Sequence, residues 1–373
     1  MKILDRYLMT EMAWPFLFGL CTFTLLFFSA ETLMGVARMV VESEAGFYVV
    51  IEYLYCRLPY VLVLTFPMSI LLSALMAYGR LSGDSELVAL KAGGIGFFRI
   101  FVPGLAFCTL VAGISLWMND AWVPPSMKRA YDILIEHQRG DELERALITT
   151  PKVLANGQEQ MIYAHSLNVK EKTMRGVFIH FFWESMRLRE IYAHEARWNG
   201  TVWEMRDIRT VEFTRDGDVR YELAGKRGWT ALSPGESPPD PEVLRRRKLR
   251  PEEMSRAELA ESLASMPVPR EGEDDMLRKR NRYLVMYHQK LSLPLTCMVF
   301  GTFAIPLGIR PHRTSTSIGL GLSLLFILLY YVLMTVGMIL GETGTLQPWA
   351  AAWLPNILFG LVGFFLVLEA SRK

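Results

Sequence analysis

Six runs of about 18 or more mainly apolar residues run through this chain, and a run of that length can cross a bilayer as a helix. They are Met12 to Thr32, Leu58 to Gly79, Ile100 to Met118, Leu291 to Ile309, Ser317 to Leu340 and Trp349 to Leu368. The first is too long for the apolar core of a signal peptide, and no small-residue cleavage site follows it. A long polar stretch, Asn119 to Arg282, separates the third run from the fourth. The organisation is therefore residues 1–118 with three spans, 119–282 with an inserted domain and linker, and 283–373 with three more spans. Apolar residues make up 51% of the chain, and their concentration in these blocks excludes an ordinary soluble fold. The net charge of +2 offers no concentrated basic surface, which excludes nucleic acid as a partner. The cysteines, Cys21, Cys56, Cys108 and Cys297, lie in or beside apolar runs and form neither a disulfide framework nor a metal cluster.

Orientation follows from Lys and Arg in the short loops. One set of ends carries Lys2 and Arg6, then Arg80, Lys91 and Arg99, then Arg310 and Arg313, then Arg372 and Lys373. The opposite short loop, Gly341 to Pro348, has only Glu342. The first set is expected to be cytoplasmic, with both termini, and the polar middle to lie outside.

Within the middle region, Met174 to Trp183 alternates with period two: Val177, Ile179, Phe181 and Trp183 on one face, Phe178, His180 and Phe182 on the other. Similar runs occur at Gln160–His165, Leu188–Trp198, Thr201–Phe213 and Val219–Leu223, with turn signals such as Asn199-Gly200 between them. This predicts an all-β domain, sandwich or barrel. Ser255 followed by Glu258 has capping-box spacing and predicts a short helix over Ser255 to Ser265. The Arg245-Arg246-Arg247-Lys248 run reads as solvated.

No phosphate-binding loop, zinc-protease or serine-hydrolase motif is present. The middles of the spans contain essentially no ionisable residue, so proton or ion coupling has no machinery here. Any transport must draw its energy from a partner. An enzyme acting on lipid head groups would need clustered acid–base residues, and His288 with Lys290, or His165 and His180, are the only candidates.

Three stretches resemble the LptF/LptG permease family of lipopolysaccharide export. They are Ser85-Glu86-Leu87-Val88-Ala89-Leu90-Lys91-Ala92-Gly93-Gly94, Tyr287-His288-Gln289-Lys290-Leu291-Ser292-Leu293-Pro294-Leu295 with Ile305-Pro306-Leu307-Gly308-Ile309-Arg310, and Ala352-Trp353-Leu354-Pro355-Asn356. The resemblance implies a jelly-roll-like periplasmic domain, a separate ABC ATPase that holds the ATP and magnesium, a homologous second permease, a periplasmic jelly-roll bridge protein, and lipopolysaccharide as cargo. It implies no cofactor in this chain. The Ser85-to-Gly94 spacing leans to the F-type subunit without separating the two types. A permease for another envelope lipid is the alternative.

The segment from Arg80 to Arg99 is the natural energy input. A helix near 82–94, capped by Ser82 or Asp84 and ended by Gly93-Gly94, is too short to stand alone. By the resemblance it is a coupling helix, with Ser85, Glu86, Leu87 and Leu90 as its contacts to the ATPase. Arg38, Arg57, Lys128 and Arg129 stand near the far membrane surface and suit the phosphates of a lipid head group, or act as interfacial anchors. Ser315, Gly319 and Ser323 recur every four residues and suit close packing at a lateral gate against the second permease, or within this chain.

Overall fold

The computed structural model describes residues 3–32, 36–37, 40, 46–137, 147–148, 152–153, 159–168, 171–183, 186–213, 219–223, 228–233, 236–241, 250–266, 274–309 and 316–372. The chain forms two compact units, one of Met1–Gln138 with Leu249–Lys373 and one of Arg139–Lys248.

The first unit is helical. Its elements are α1 (Ile3–Phe27), α2 (Phe47–Gly83), α3 (Glu86–Ala92), α4 (Phe97–Trp117), α5 (Val123–His137), α6 (Arg256–Ser265), α7 (Asp274–Gly308), α8 (Thr316–Glu342) and α9 (Pro348–Ser371). Among the described residues six helical stretches are long and apolar enough to cross a membrane: Ile3–Ala30, Phe47–Gly83, Phe97–Leu134, Asp274–Gly308, Gly319–Glu342 and Pro348–Ser371. Four of them overrun the expected spans. α1 begins at Ile3 rather than Met12. α2 begins at Phe47 rather than Leu58, α7 begins at Asp274 rather than Leu291, and α4 runs through a π-turn at Met118–Trp122 into α5. The π-turn has a local cause. Pro124 and Pro125 have no N–H to return to the carbonyls of Asp120 and Ala121, and the turn before them widens. α5 is amphipathic: Val123, Met127, Ala130 and Ile133 are buried, and Ala130 and Ile133 pack with Tyr53 and Cys56 of α2.

The bundle core is mainly apolar, and a polar knot joins α7, α8 and α9. Thr296 Oγ1 lies 2.7 Å from the Tyr330 hydroxyl and 3.0 Å from Asn356 Oδ1, while Asn356 Nδ2 donates to the Ser292 carbonyl at 2.7 Å. In a membrane such groups must satisfy one another. Pro294 leaves the Lys290 carbonyl without its helical donor, and Asn119 Nδ2 fills that place at 2.8 Å. Gly363 lets α9 approach α7 to backbone contact: a Cβ there would sit 3.0 Å from Phe303 N and 3.1 Å from its Cα.

The second unit is one antiparallel sheet of β1 (Leu147–Ile148), β2 (Lys152–Val153), β3 (Glu159–Asn168), β4 (Thr173–Trp183), β5 (Met186–Trp198), β6 (Trp203–Arg206), β7 (Arg209–Phe213), β8 (Val219–Leu223) and β9 (Trp229–Ala231). The spatial order is β1-β3-β4-β5-β6-β9, with β2 on β3 and β7 joining β5 to β8. The expected alternation holds in β4: Val177, Ile179 and Phe181 are buried with Ile162, Ala164, Ile191 and Trp203. The Asn199-Gly200 turn forms, Asn199 Oδ1 accepting from Thr201 N and Val202 N, with Gly200 at φ 105°. The expected membrane helices and inserted antiparallel β-region are thus both present. The Arg245 to Lys248 run and Arg310 and Arg313 lie outside the described residues.

Candidate functional site

The short helix α3 forms where a coupling element is expected, though its cap differs. α2 runs to Gly83 and Asp84 closes it, so neither Ser82 nor Asp84 caps α3. The N-cap is Ser85 in the left-handed region at φ 62°, an uncommon backbone for a residue with a Cβ. Gly93 closes the other end and Gly94 turns the chain at φ 82°. Leu87 is only 2% exposed and belongs to the bundle's own core, with Leu90 packed half-buried beside it. Val88 is 59% exposed and Ala89 is exposed. The face that α3 offers outward is therefore Val88 and Ala89 with Glu86, whereas Leu87 anchors the helix from beneath.

Charges bind this helix and its flanks to α1. The Tyr7 hydroxyl donates to Glu86 Oε2 at 2.7 Å. Arg80 pairs with Glu11 and Arg99 with Asp5, so both arms leading into the α3 segment are tied to the first turns of α1. Sequence reasoning missed Asp5, Tyr7 and Glu11. The available signal was that the same membrane side gathers Arg80 and Arg99 and needs counter-charges.

The expected head-group cations are already engaged within the chain. Lys128 pairs with Glu258 of α6. Arg129 pairs with Glu52, Nε to Oε1 2.9 Å. The Arg57 guanidinium stands over the Tyr60 ring at 5.5 Å, with Nη1 3.5 Å from Met127 Sδ. Burial would raise the Glu258 pKa, but the hydrogen bonds from Lys128 and from the Ser255 backbone and hydroxyl outweigh it and hold the carboxyl below its usual range. Ser255 and Glu258 form the expected capping box. Arg38 lies outside the described residues.

The small-residue stripe of α8 turns inward. A Cβ on Gly319 would sit 3.7 Å from the Leu75 carbonyl oxygen of α2, and Ser323 is fully buried with its hydroxyl on the Leu320 carbonyl at 2.7 Å. Gly319 and Ser323 thus serve packing inside this chain, and the outward face of α8 is Leu324, Leu325, Leu328, Val332, Val336 and Ile339. Ser315 lies outside the described residues.

On the sheet, the face opposite the β core carries a half-exposed aromatic strip. Phe178 lies 5.9 Å from the Tyr163 ring and 4.7 Å from Tyr192, and His180 lies between Phe178, parallel to it at 6.3 Å, and Phe182, tilted against it at 6.2 Å. Such a surface is apolar in body and wettable at its edges.

Comparison with known proteins gives one family match and two named relatives. The family model described as Lipopolysaccharide export system permease LptF/LptG matches residues 6–369. The Lipopolysaccharide export system permease protein LptG of Escherichia coli strain K12 is 25% identical over 315 residues, covering 82% of this chain and 81% of the relative. The same protein of Escherichia coli O6:H1 strain CFT073 matches to the same extent. Both named relatives are of the G type, against the F-type lean of the Ser85-to-Gly94 spacing.

Proposed function

This chain belongs to the LptF/LptG family of lipopolysaccharide export permeases, and from that premise we propose that it is the membrane subunit through which a separate ABC ATPase drives lipopolysaccharide out of the inner membrane. It is a multi-pass inner-membrane protein of that family, a transport subunit rather than an enzyme. In the proposed arrangement both termini and α3 face the cytoplasm, and the sheet, inserted after three spans, stands in the periplasm. The ATPase docks on Val88, Ala89 and Glu86. A second permease of the same family meets the leucine-rich outer face of α8. A periplasmic bridge protein continues the sheet.

The observation that carries this reading is the build of α3. It is a seven-residue helix between two spans, pinned from beneath by Leu87 and from the side by Tyr7, with an apolar residue left in the open. A helix that short has no stability of its own and is useful as a rigid lever for a partner.

The task sets the rest of the proposal. Moving a multi-acyl lipid from bilayer into water at ~0.8 kcal/mol per CH₂ would cost on the order of 50 kcal/mol for ~60 methylenes. The acyl chains must instead pass from one apolar surface to another, and the strip of Tyr163, Phe178, Phe182 and Tyr192 supports such a surface on the sheet. The test is copurification from the native membrane in detergent, with reporters at Gly235 and after Lys373. The proposal expects an ATP-binding subunit and lipopolysaccharide in the complex, a periplasmic Gly235 and a cytoplasmic C-terminus. A complex without an ATP-binding subunit overturns it.

A further inference from the structure

The end of α4 at Trp117 carries a cavity of about 310 Å³ that none of the roles above uses, lined among others by Trp117, Asn119, Asp120, Arg256 and Lys290. Its charges are arranged unusually. Lys290 is 8% exposed, and its ammonium has two long contacts, 3.4 Å to Asn119 Oδ1 and 3.2 Å to the Glu252 carbonyl, neither of them to a carboxylate. Arg256 lies over the Tyr287 ring at 4.9 Å and donates from Nη2 to its hydroxyl at 3.1 Å. Its Nε is buried with no hydrogen-bond partner among the described residues. Asp120 is exposed on the same wall, one carboxylate oxygen accepting from the Arg256 backbone N–H at 3.2 Å. Among the described residues neither Lys290 nor Arg256 is in an ion pair. A buried cation at the end of a membrane span marks a functional site by default.

Trp117 also begins an apolar groove of about 570 Å³ along the exposed face of α4, over Ala106, Leu110, Gly113 and Ile114. A Cβ on Gly113 would meet nothing within 4 Å, which leaves a notch in the groove. Trp117 and Trp122, 6.3 Å apart, sit at the span end where indoles favour the membrane interface. Two donors for an anion, one acceptor for a cation and a chain-wide groove thus meet at one place.

We propose that this place binds a glycerophospholipid whose head carries a primary ammonium. Its phosphate sits between Arg256 and Lys290, its ammonium reaches Asp120, and one acyl chain lies along α4 past Gly113. A guanidinium and an ammonium complement phosphate. Asp120 selects among lipids: it disfavours a purely anionic head and rewards one that brings its own cation. The proposal rests on the membrane spans and not on the transport reading, so either can fail alone.

The test uses the full chain with its copurifying partners in detergent, stripped of lipid. It is then offered an equimolar mixture of phosphatidylethanolamine, phosphatidylglycerol and phosphatidylcholine of identical chains, and retained lipid is counted by native mass spectrometry. The wild type should keep phosphatidylethanolamine preferentially. Arg256→Gln should weaken its retention about tenfold, the loss of one charge-assisted hydrogen bond. Asp120→Asn should erase the preference over phosphatidylglycerol. Gly113→Leu, whose Cβ meets nothing within 4 Å, should lower retention with melting unchanged. Equal retention of all three lipids by the wild type, or wild-type retention by Arg256→Gln and Asp120→Asn, overturns the proposal. Full displacement by millimolar inorganic phosphate also overturns it, because the site would then be one for a free anion.

Discussion

Replacing Leu87 with alanine should weaken ATPase docking although Leu87 itself faces away from the docking surface. Leu87 is 2% exposed in the bundle's own core, and it is the one fully buried side chain of α3. A leucine-to-alanine change at such a site costs about 2–5 kcal/mol. The low end applies, because Val88 and Ala89 beside it are exposed and the helix can settle into part of the void. A cost of about 2 kcal/mol lowers the ratio of packed to unpacked α3 by roughly thirtyfold, and ATPase affinity falls by that factor to the extent that the unpacked state becomes the major one. Seven residues hold no helix without that anchor. Val88→Asp makes the contrast: it sets a charge on the exposed face and leaves the core intact. The assay titrates the purified ATPase against the detergent-solubilised chain and follows melting by tryptophan fluorescence in parallel. Leu87→Ala should lower affinity by tenfold or more and broaden or lower the melt. Val88→Asp should lower affinity with the melt unchanged. Wild-type affinity in both variants would refute the reasoning, since α3 would then be neither lever nor contact.

Two further outcomes follow from packing and charge. The Glu258 carboxyl is held below its usual range, so its pairing with Lys128 contributes stability above the unfolded-state pKa and loses it as pH falls through the folded-state value; the melting advantage of wild type over Glu258→Gln should be under about 1 kcal/mol at pH 7, because both side chains are about a third exposed, and should vanish in acid. Gly363→Val should lower the melting temperature, at about 1–3 kcal/mol for overpacking against the Phe303 backbone, while Gly360→Val, which meets nothing within 4 Å, should leave it unchanged.

The spans were legible because their signal is composition over a fixed length, which tertiary structure cannot hide. Their extensions were not. Val123, Met127, Ala130 and Ile133 repeat with helical spacing, yet Asn119-Asp120 and Pro124-Pro125 are strong breaker signals, and they masked a helix that simply widens one turn to accommodate the prolines. β4 was legible because period-two alternation shows in ten residues. The cations at the span ends were legible as residue types but not as partners: Lys128 with Glu258 and Arg129 with Glu52 are 130 and 77 positions apart, and only packing brings them together. Leu87 was visible as the apolar side of a short helix. Which body that side faces, its own bundle or another protein, is a tertiary fact, and the same holds for Gly319 and Ser323 against α2.

Lipopolysaccharide, on the proposed function, leaves the membrane across this chain at the expense of ATP hydrolysed elsewhere. The most direct test places a photo-crosslinking phenylalanine analogue at Phe178, on the aromatic strip of β4, in the complete complex reconstituted with lipopolysaccharide. A crosslink to lipopolysaccharide should appear on adding ATP and be absent with a hydrolysis-deficient ATPase. A crosslink of equal strength without ATP, or none with ATP while the ATPase remains bound and active, would contradict the proposed function.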